Sequence, residues 1–119
     1  MRHGARMPLR SIDPATGEVL ETFAETTPQG LEQVLARAEG ARGTWGRMVI
    51  AARGVRLHAV ARLLRERAAS LARVMAREMG KPVVEGEAEI EKCAWVSDYF
   101  ADEAARMLAP ESRGAAPRS

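Results

Sequence analysis

Aromatic side chains are scarce in this 119-residue chain: two Trp, one Tyr and two Phe, 4% of the total. Large rings dominate burial energy where they occur. A core drawn mainly from Ala, Leu and Val is therefore either marginally stable alone or expects a partner surface. Cysteine is limited to Cys93, which excludes an internal disulfide and fits a reducing, cytoplasmic compartment. One Cys with His3 and His58 cannot build a tetrahedral zinc site. Lysine is nearly absent, with only Lys81 and Lys92. The other basic residues are Arg, and acidic residues balance them to a net charge of +2, which excludes a strong polyanion binder. No apolar run approaches the ~20 residues of a membrane span. No apolar segment follows the basic residues 1–6, so they do not read as a secretory signal. No glycine cluster has the dinucleotide or P-loop spacing in a strand–turn–helix setting.

Apolar residues make up 46% of the chain and charged residues 29%, the composition of one small soluble domain. Two short apolar runs, Leu9 to Ile12 and Val19 to Phe23, flank Asp13-Pro14-Ala15-Thr16-Gly17. Asp-Pro opens a turn and Gly closes it, so the pair predicts a β-hairpin. Thr27 before Pro28 predicts a helix start, and Leu31, Val34, Leu35, Ala38 and Ala41 continue at helical spacing. Gly40 and Gly43 place the end of this first helix near Arg42. The stripe Ile50, Gly54, Leu57, Ala61 and Leu64 predicts a second helix, and Ala68, Leu71, Ala72, Met75 and Met79 a third. Gly80 and Pro82 stop the third. A fourth helix runs from near Pro82 to about Leu108. Its apolar face, through Ile90, Cys93, Ala94, Val96, Phe100, Ala101, Ala104, Met107 and Leu108, is wider than one neighbouring helix needs. The expected fold is mainly α, a β-hairpin followed by four helices, with residues 1–8 and 111–119 disordered.

Few constellations offer chemistry. Glu85, Glu87, Glu89 and Glu91 open the last helix with pairs four residues apart. Metal ligation or acid/base work is one reading, but no other ligand type is near. A solvated first turn complementing the helix N-terminus is favoured. Cys93 and His58 are the only candidates for a thiolate–imidazole pair. Cys93 lies mid-helix among apolar neighbours, where a thiol is usually inert packing. Ten arginines fall between Arg37 and Arg77, interleaved with Glu39, Glu66 and Glu78. Stacking aromatics are lacking beyond Trp45, so a solvated or subunit-facing surface is favoured over nucleic acid. No catalytic, cofactor-binding or metal-binding residue is assigned.

Three stretches, taken together, resemble the N-terminal region of the NAD(P)-dependent aldehyde dehydrogenases. They are Ile12-Asp13-Pro14-Ala15-Thr16-Gly17-Glu18-Val19, then Arg53, Leu57, Ala61, Leu63 and Leu64 closing on Glu78-Met79-Gly80-Lys81-Pro82, and finally the segment from Ala88 to Val96 with Tyr99 and Phe100. The last is similar to succinate-semialdehyde dehydrogenase-like members. The resemblance covers about residues 9–110. It implies the cofactor-domain side of an α/β dehydrogenase fold, with NAD or NADP as the cofactor of the whole enzyme. It also implies thiohemiacetal chemistry at a nucleophilic Cys, with a general-base Glu.

In the family those groups, and most cofactor contacts, come from later segments. Cys93 matches the long helix and not the nucleophile. Some relatives place a monovalent cation near positions matching Ile12 and Glu78, yet only these two can be named and hard cations take more oxygens. The Arg-, Ala- and Gly-rich residues 113–119 depart from the family pattern, as a frameshifted or truncated product would. The implied reading is an incomplete dehydrogenase, inactive alone, which binds no cofactor tightly. Its partner is the remainder of the fold or a homologous subunit, without nucleic acid or membrane. The alternative is a helical interaction module acting through its Arg-rich surface.

Overall fold

The computed structural model describes residues 8–111. The expectations of disorder at 1–8 and 111–119 fall outside these residues except at Pro8 and Glu111, which lie in no regular element. The described order is β1 (Leu9–Ile12), β2 (Val19–Phe23), α1 (Pro28–Arg47), α2 (Ile50–Glu66), α3 (Ala68–Met79) and α4 (Val83–Met107). The chain is mainly helical behind an antiparallel hairpin.

The hairpin turn is built by Asp13 and Thr16. The Asp13 carboxylate accepts from the Ala15 and Thr16 amides at 2.8 and 3.3 Å, and Thr16 Oγ1 accepts from the Glu18 amide at 3.2 Å. Gly17 takes φ +76°, a conformation that a side chain would strain. Leu9 pairs with Phe23 and Ser11 with Glu21, and a register shift then sets Ile12 opposite Val19.

Each helix boundary has a local cause. Thr27 caps α1, its Oγ1 accepting from the Gly30 amide at 3.0 Å, with Pro28 opening the first turn. Helix α3 ends on Gly80 in the left-handed conformation, φ +70°, whose amide donates to the Ala76 carbonyl at 2.9 Å. The first helix is longer than expected: it continues through Gly40, Gly43 and Gly46 to Arg47. Each glycine costs only about 1 kcal/mol in a helix interior, and no proline follows to enforce a stop. The helix closes instead on Met48, whose extended backbone donates to the Trp45 carbonyl.

Helices α2 and α4 run antiparallel. Gly54 faces Ala101, His58 faces Asp98, and Arg65 faces Glu91, so rising numbers on one helix meet falling numbers on the other. Among the described residues the buried apolar ones are Ala61, Ala72, Ile90 and Ala94, joined by Gly54 and Gly86. This is a close-packed seam of small residues with one large side chain. A Cβ at Gly54 would stand 2.9 Å from the Ala101 carbonyl oxygen, and one at Gly86 would stand 3.0 Å from Ala72 Cβ.

No residue of α1 is buried. Its apolar residues Leu31, Val34, Leu35 and Trp45 face solvent. The radius of gyration is 21.6 Å, against about 13–14 Å for a compact domain of this length. Isolated helices are marginal in water, so α1 amides should exchange with solvent well before those of α2 and α4. Thr27→Ala should lower helicity further, at a cost of about 1 kcal/mol. Hydrogen exchange read residue by residue checks both, and equal protection of α1 and α4 would refute the first.

Candidate functional site

One connected set of charged groups lies along the α2–α4 seam. Arg65 Nε donates to Glu91 at 3.0 and 3.1 Å, and its Nη1 donates to Asp98 Oδ2 at 2.7 Å. The other Asp98 oxygen lies 2.8 Å from His58 Nδ1. His58 Nε2 lies 3.1 Å from Asp102 Oδ1. One imidazole therefore sits between two carboxylates one helical turn apart, and one carboxylate sits between an imidazole and a guanidinium.

These contacts set the proton affinities. The Asp98 carboxyl is held below its ordinary value, first by Arg65 and then by His58. His58 is raised above its ordinary 6.5, first by its hydrogen bond to Asp98, against a smaller opposing effect of desolvation and with help from Asp102. Arg65 is raised in turn by Asp98 and Glu91. All are solvent-accessible, so the pairs are screened and each contributes little to stability.

A second feature is an apolar cleft at the other end of the seam. Trp45, Ile50, Leu57, Phe100, Ala104 and Leu108 line it with Arg53. Its rim is open: Trp45 is 44% exposed, Phe100 47% and Leu108 64%. Trp95 stacks on Tyr99 with centroids 5.7 Å apart, and Tyr99 meets Phe100 edge-on at 5.3 Å, so the exposed aromatics of α4 form one continuous band. The Arg53 Nε is buried and makes no hydrogen bond among the described residues.

The hairpin docks at the far end of α3. Ser11 Oγ donates to Glu78 Oε1 at 3.1 Å, and Pro14 lies against Gly80. The hairpin and Glu78 thus lie side by side, joined by this hydroxyl. Among the described residues, no group of three or more His, Cys, Asp or Glu could hold a metal ion.

The four glutamates of α4 do not converge. Glu89 pairs with Lys81 and Glu91 with Arg65, while Glu85 lies in the first turn. Cys93 departs from its expected packing role: it is exposed, in a shallow groove with Ala88, Glu89, Lys92 and Val96. The apolar face is wide enough that Ile90 and Ala94 fill the seam and Cys93 is left over. His58 is not available to it as a base, since both ring nitrogens face carboxylates.

Several arginines of the basic stretch are engaged as well, Arg42 with Glu39, Arg62 with Glu66 and Arg65 with Glu91 and Asp98. The roles of Arg65, Asp98 and Asp102 were not anticipated. Their spacing was a usable signal, because Asp98 and Asp102 share a face of α4 and His58 and Arg65 a face of α2. Nothing in the sequence set those faces opposite each other. No described helix is long and apolar enough to cross a membrane.

The aldehyde dehydrogenase family model matches residues 2–118. An aldehyde dehydrogenase of Paenarthrobacter nicotinovorans is 38% identical over 106 residues, 89% of this chain and 23% of that protein. Succinate-semialdehyde dehydrogenase [NADP(+)] 1 of Mycobacterium tuberculosis (strain ATCC 25618 / H37Rv) is 36% identical over 110 residues, 92% of this chain and 24% of that protein. The crystal structure of succinic semialdehyde dehydrogenase from Streptococcus pyogenes, in complex with NADP+, superposes with a TM-score of 0.79 at 39% identity, covering 84% of this chain and 22% of that one. The chain thus spans about a quarter of the length of the curated relatives it matches.

Proposed function

The chain belongs to the aldehyde dehydrogenase family, and from that premise we propose that it supplies the hairpin-and-helix scaffold, residues 9–110 on the cofactor-domain side, of an NAD(P)-dependent enzyme that oxidises an aldehyde to the acid. Succinate semialdehyde is the favoured substrate and NADP the favoured cofactor, since the relatives' names carry both. By itself the chain is inactive and binds no cofactor tightly. Its partner is the remainder of the dehydrogenase fold or a homologous subunit, in the cytoplasm, with no part for nucleic acid or membrane.

The observation that carries this reading is the mismatch between core and surface. The seam buries small residues, while Trp45, Trp95, Phe100 and Leu108 stand exposed. Apolar patches of this extent mark surfaces built to be covered. The chemistry agrees. Among the described residues no base is paired with Cys93, and the carboxylates near the seam are tied to Arg65 and His58. A nucleophile needs an adjacent base or other activation, so the thiol that attacks the aldehyde lies outside the described residues.

The purified chain, given succinate semialdehyde and NADP, should form no NADPH. Co-expressed with a polypeptide carrying the part of the mycobacterial relative that it does not cover, it should assemble and gain turnover. In that assembly Cys93→Ala should leave kcat unchanged. Turnover by the chain alone, or loss of turnover in Cys93→Ala, would overturn the assignment.

A further inference from the structure

We propose that His58 is a pH-operated clasp between α2 and α4, closed on both sides while the imidazole carries two protons and open at Asp102 once it has lost one. The inference rests on the geometry of the seam and is independent of the dehydrogenase reading.

The argument is one of donor counting. Both ring nitrogens of His58 stand at hydrogen-bond distance from carboxylate oxygens, 2.8 Å to Asp98 and 3.1 Å to Asp102. A carboxylate only accepts, and a neutral imidazole has one N–H. The neutral ring therefore satisfies one side and turns a bare lone pair toward the oxygen of the other. Only the imidazolium donates to both.

The two sides are unequal. The Asp98 contact is shorter, and Asp98 is anchored by Arg65 at 2.7 Å as well. Asp102 is the more exposed carboxylate, 68% against 29% for Asp98. Deprotonation therefore leaves Nδ1–H on Asp98 and releases Asp102. The charged groups acting on His58 are Asp98 and Asp102 from α4. On α2 itself, Arg65 acts through Asp98, and Arg62 is paired with Glu66.

The released end matters because Asp102 precedes Ala104 and Leu108, which line the apolar cleft with Trp45 and Phe100. An open clasp removes one side-chain tie between α2 and the stretch of α4 beside that cleft. Protonation of His58 thus links pH to the shape of the surface.

The direction of the pH effect follows. With His58 raised in the folded chain, its contribution is fully present below the ordinary value of 6.5 and is lost as pH rises through the raised value. Asp98, lowered, contributes above its ordinary 3.8 and loses that contribution as pH falls through the lowered value. The clasp is tightest between those two ordinary values.

NMR of the full chain tests the proposal. His58 ring resonances, identified by their loss in His58→Gln, should titrate with a midpoint above 6.5 and leave the proton on Nδ1 at high pH. Backbone amide shifts of residues 103–107 should follow the same midpoint. In Asp102→Asn the carboxamide can donate to the bare Nε2, so the midpoint should fall and the shifts of 103–107 should stop following it. A midpoint at or below 6.5, as an unfolded chain would also give, overturns the clasp. So do amides of 103–107 that ignore the His58 titration, or an Asp102→Asn profile identical to wild type.

Discussion

Gly54→Val should strip the chain of most of its cooperative melting, while Gly40→Ala should raise the helicity of α1 and leave the melting of α2–α4 unchanged. The contrast isolates packing from propensity. In an exposed helix interior, Gly→Ala is favourable by about 1 kcal/mol, and nothing lies within 4 Å of a Cβ built at Gly40. At Gly54 the same Cβ meets the Ala101 carbonyl oxygen at 2.9 Å, a backbone atom that cannot rotate away. The helices must separate, and overpacking of that kind costs about 1–3 kcal/mol, occasionally more.

Ala at Gly54 sets this cost against the propensity gain and should come out near neutral or modestly destabilising. Val keeps little of the gain and adds two methyl groups at the crossing, so the steric term wins. With Ala61, Ala72, Ile90 and Ala94 as the buried apolar residues among those described, there is little stability in reserve. Circular dichroism melts of the variants in parallel would decide it. A Gly54→Val chain as stable as wild type would mean that α2 and α4 do not cross at this glycine.

The second large effect concerns association. The purified chain should self-associate and bind a hydrophobic dye, and both signals should fall when it is co-assembled with the missing portion of a relative. Phe100 and Leu108 are 47% and 64% exposed and sit on the same rim as Trp45. Burying a side chain of this size fully is favourable by about 1.5–3 kcal/mol, and about 1.4 kcal/mol is a factor of ten in an equilibrium constant. Phe100→Ser and Leu108→Ser should each weaken association by roughly 10- to 100-fold if the side chain becomes fully covered. Sedimentation across a concentration series reads this directly. A monomer that ignores the dye at all concentrations would remove the physical basis for a docking face.

The Gly80 stop, the Thr27 cap and the Asp13 turn were legible because each acts within a few residues of itself. The end of α1 was not. Glycines at 40, 43 and 46 weaken a helix without ending it, and only the extended backbone at Met48 settles the boundary. The over-wide apolar face of α4 was legible from its spacing, and its consequence, exposed aromatics, follows from having more apolar residues than neighbours to cover them.

Which members of that face point inward was not legible. Cys93 and Ala94 are adjacent in sequence, yet Ala94 is buried and Cys93 exposed. A helix turns about 100° per residue, so the seam's position on the helix decides between them.

The charged clasp shows the same division. Most of the elements and the scarcity of large core residues were legible along the chain, because turn chemistry, helix periodicity and composition are local or summed properties, and the family was legible from the resemblance of three stretches. Spacing alone also placed His58 and Arg65 on one face of α2, and Asp98 and Asp102 on one face of α4. Only the tertiary structure set those faces together. The close approach of Gly54 on α2 to Ala101 on α4 fixes the axial offset of these two helices. A slide of one turn would put His58 opposite different residues, and that offset is carried by no single segment of the chain.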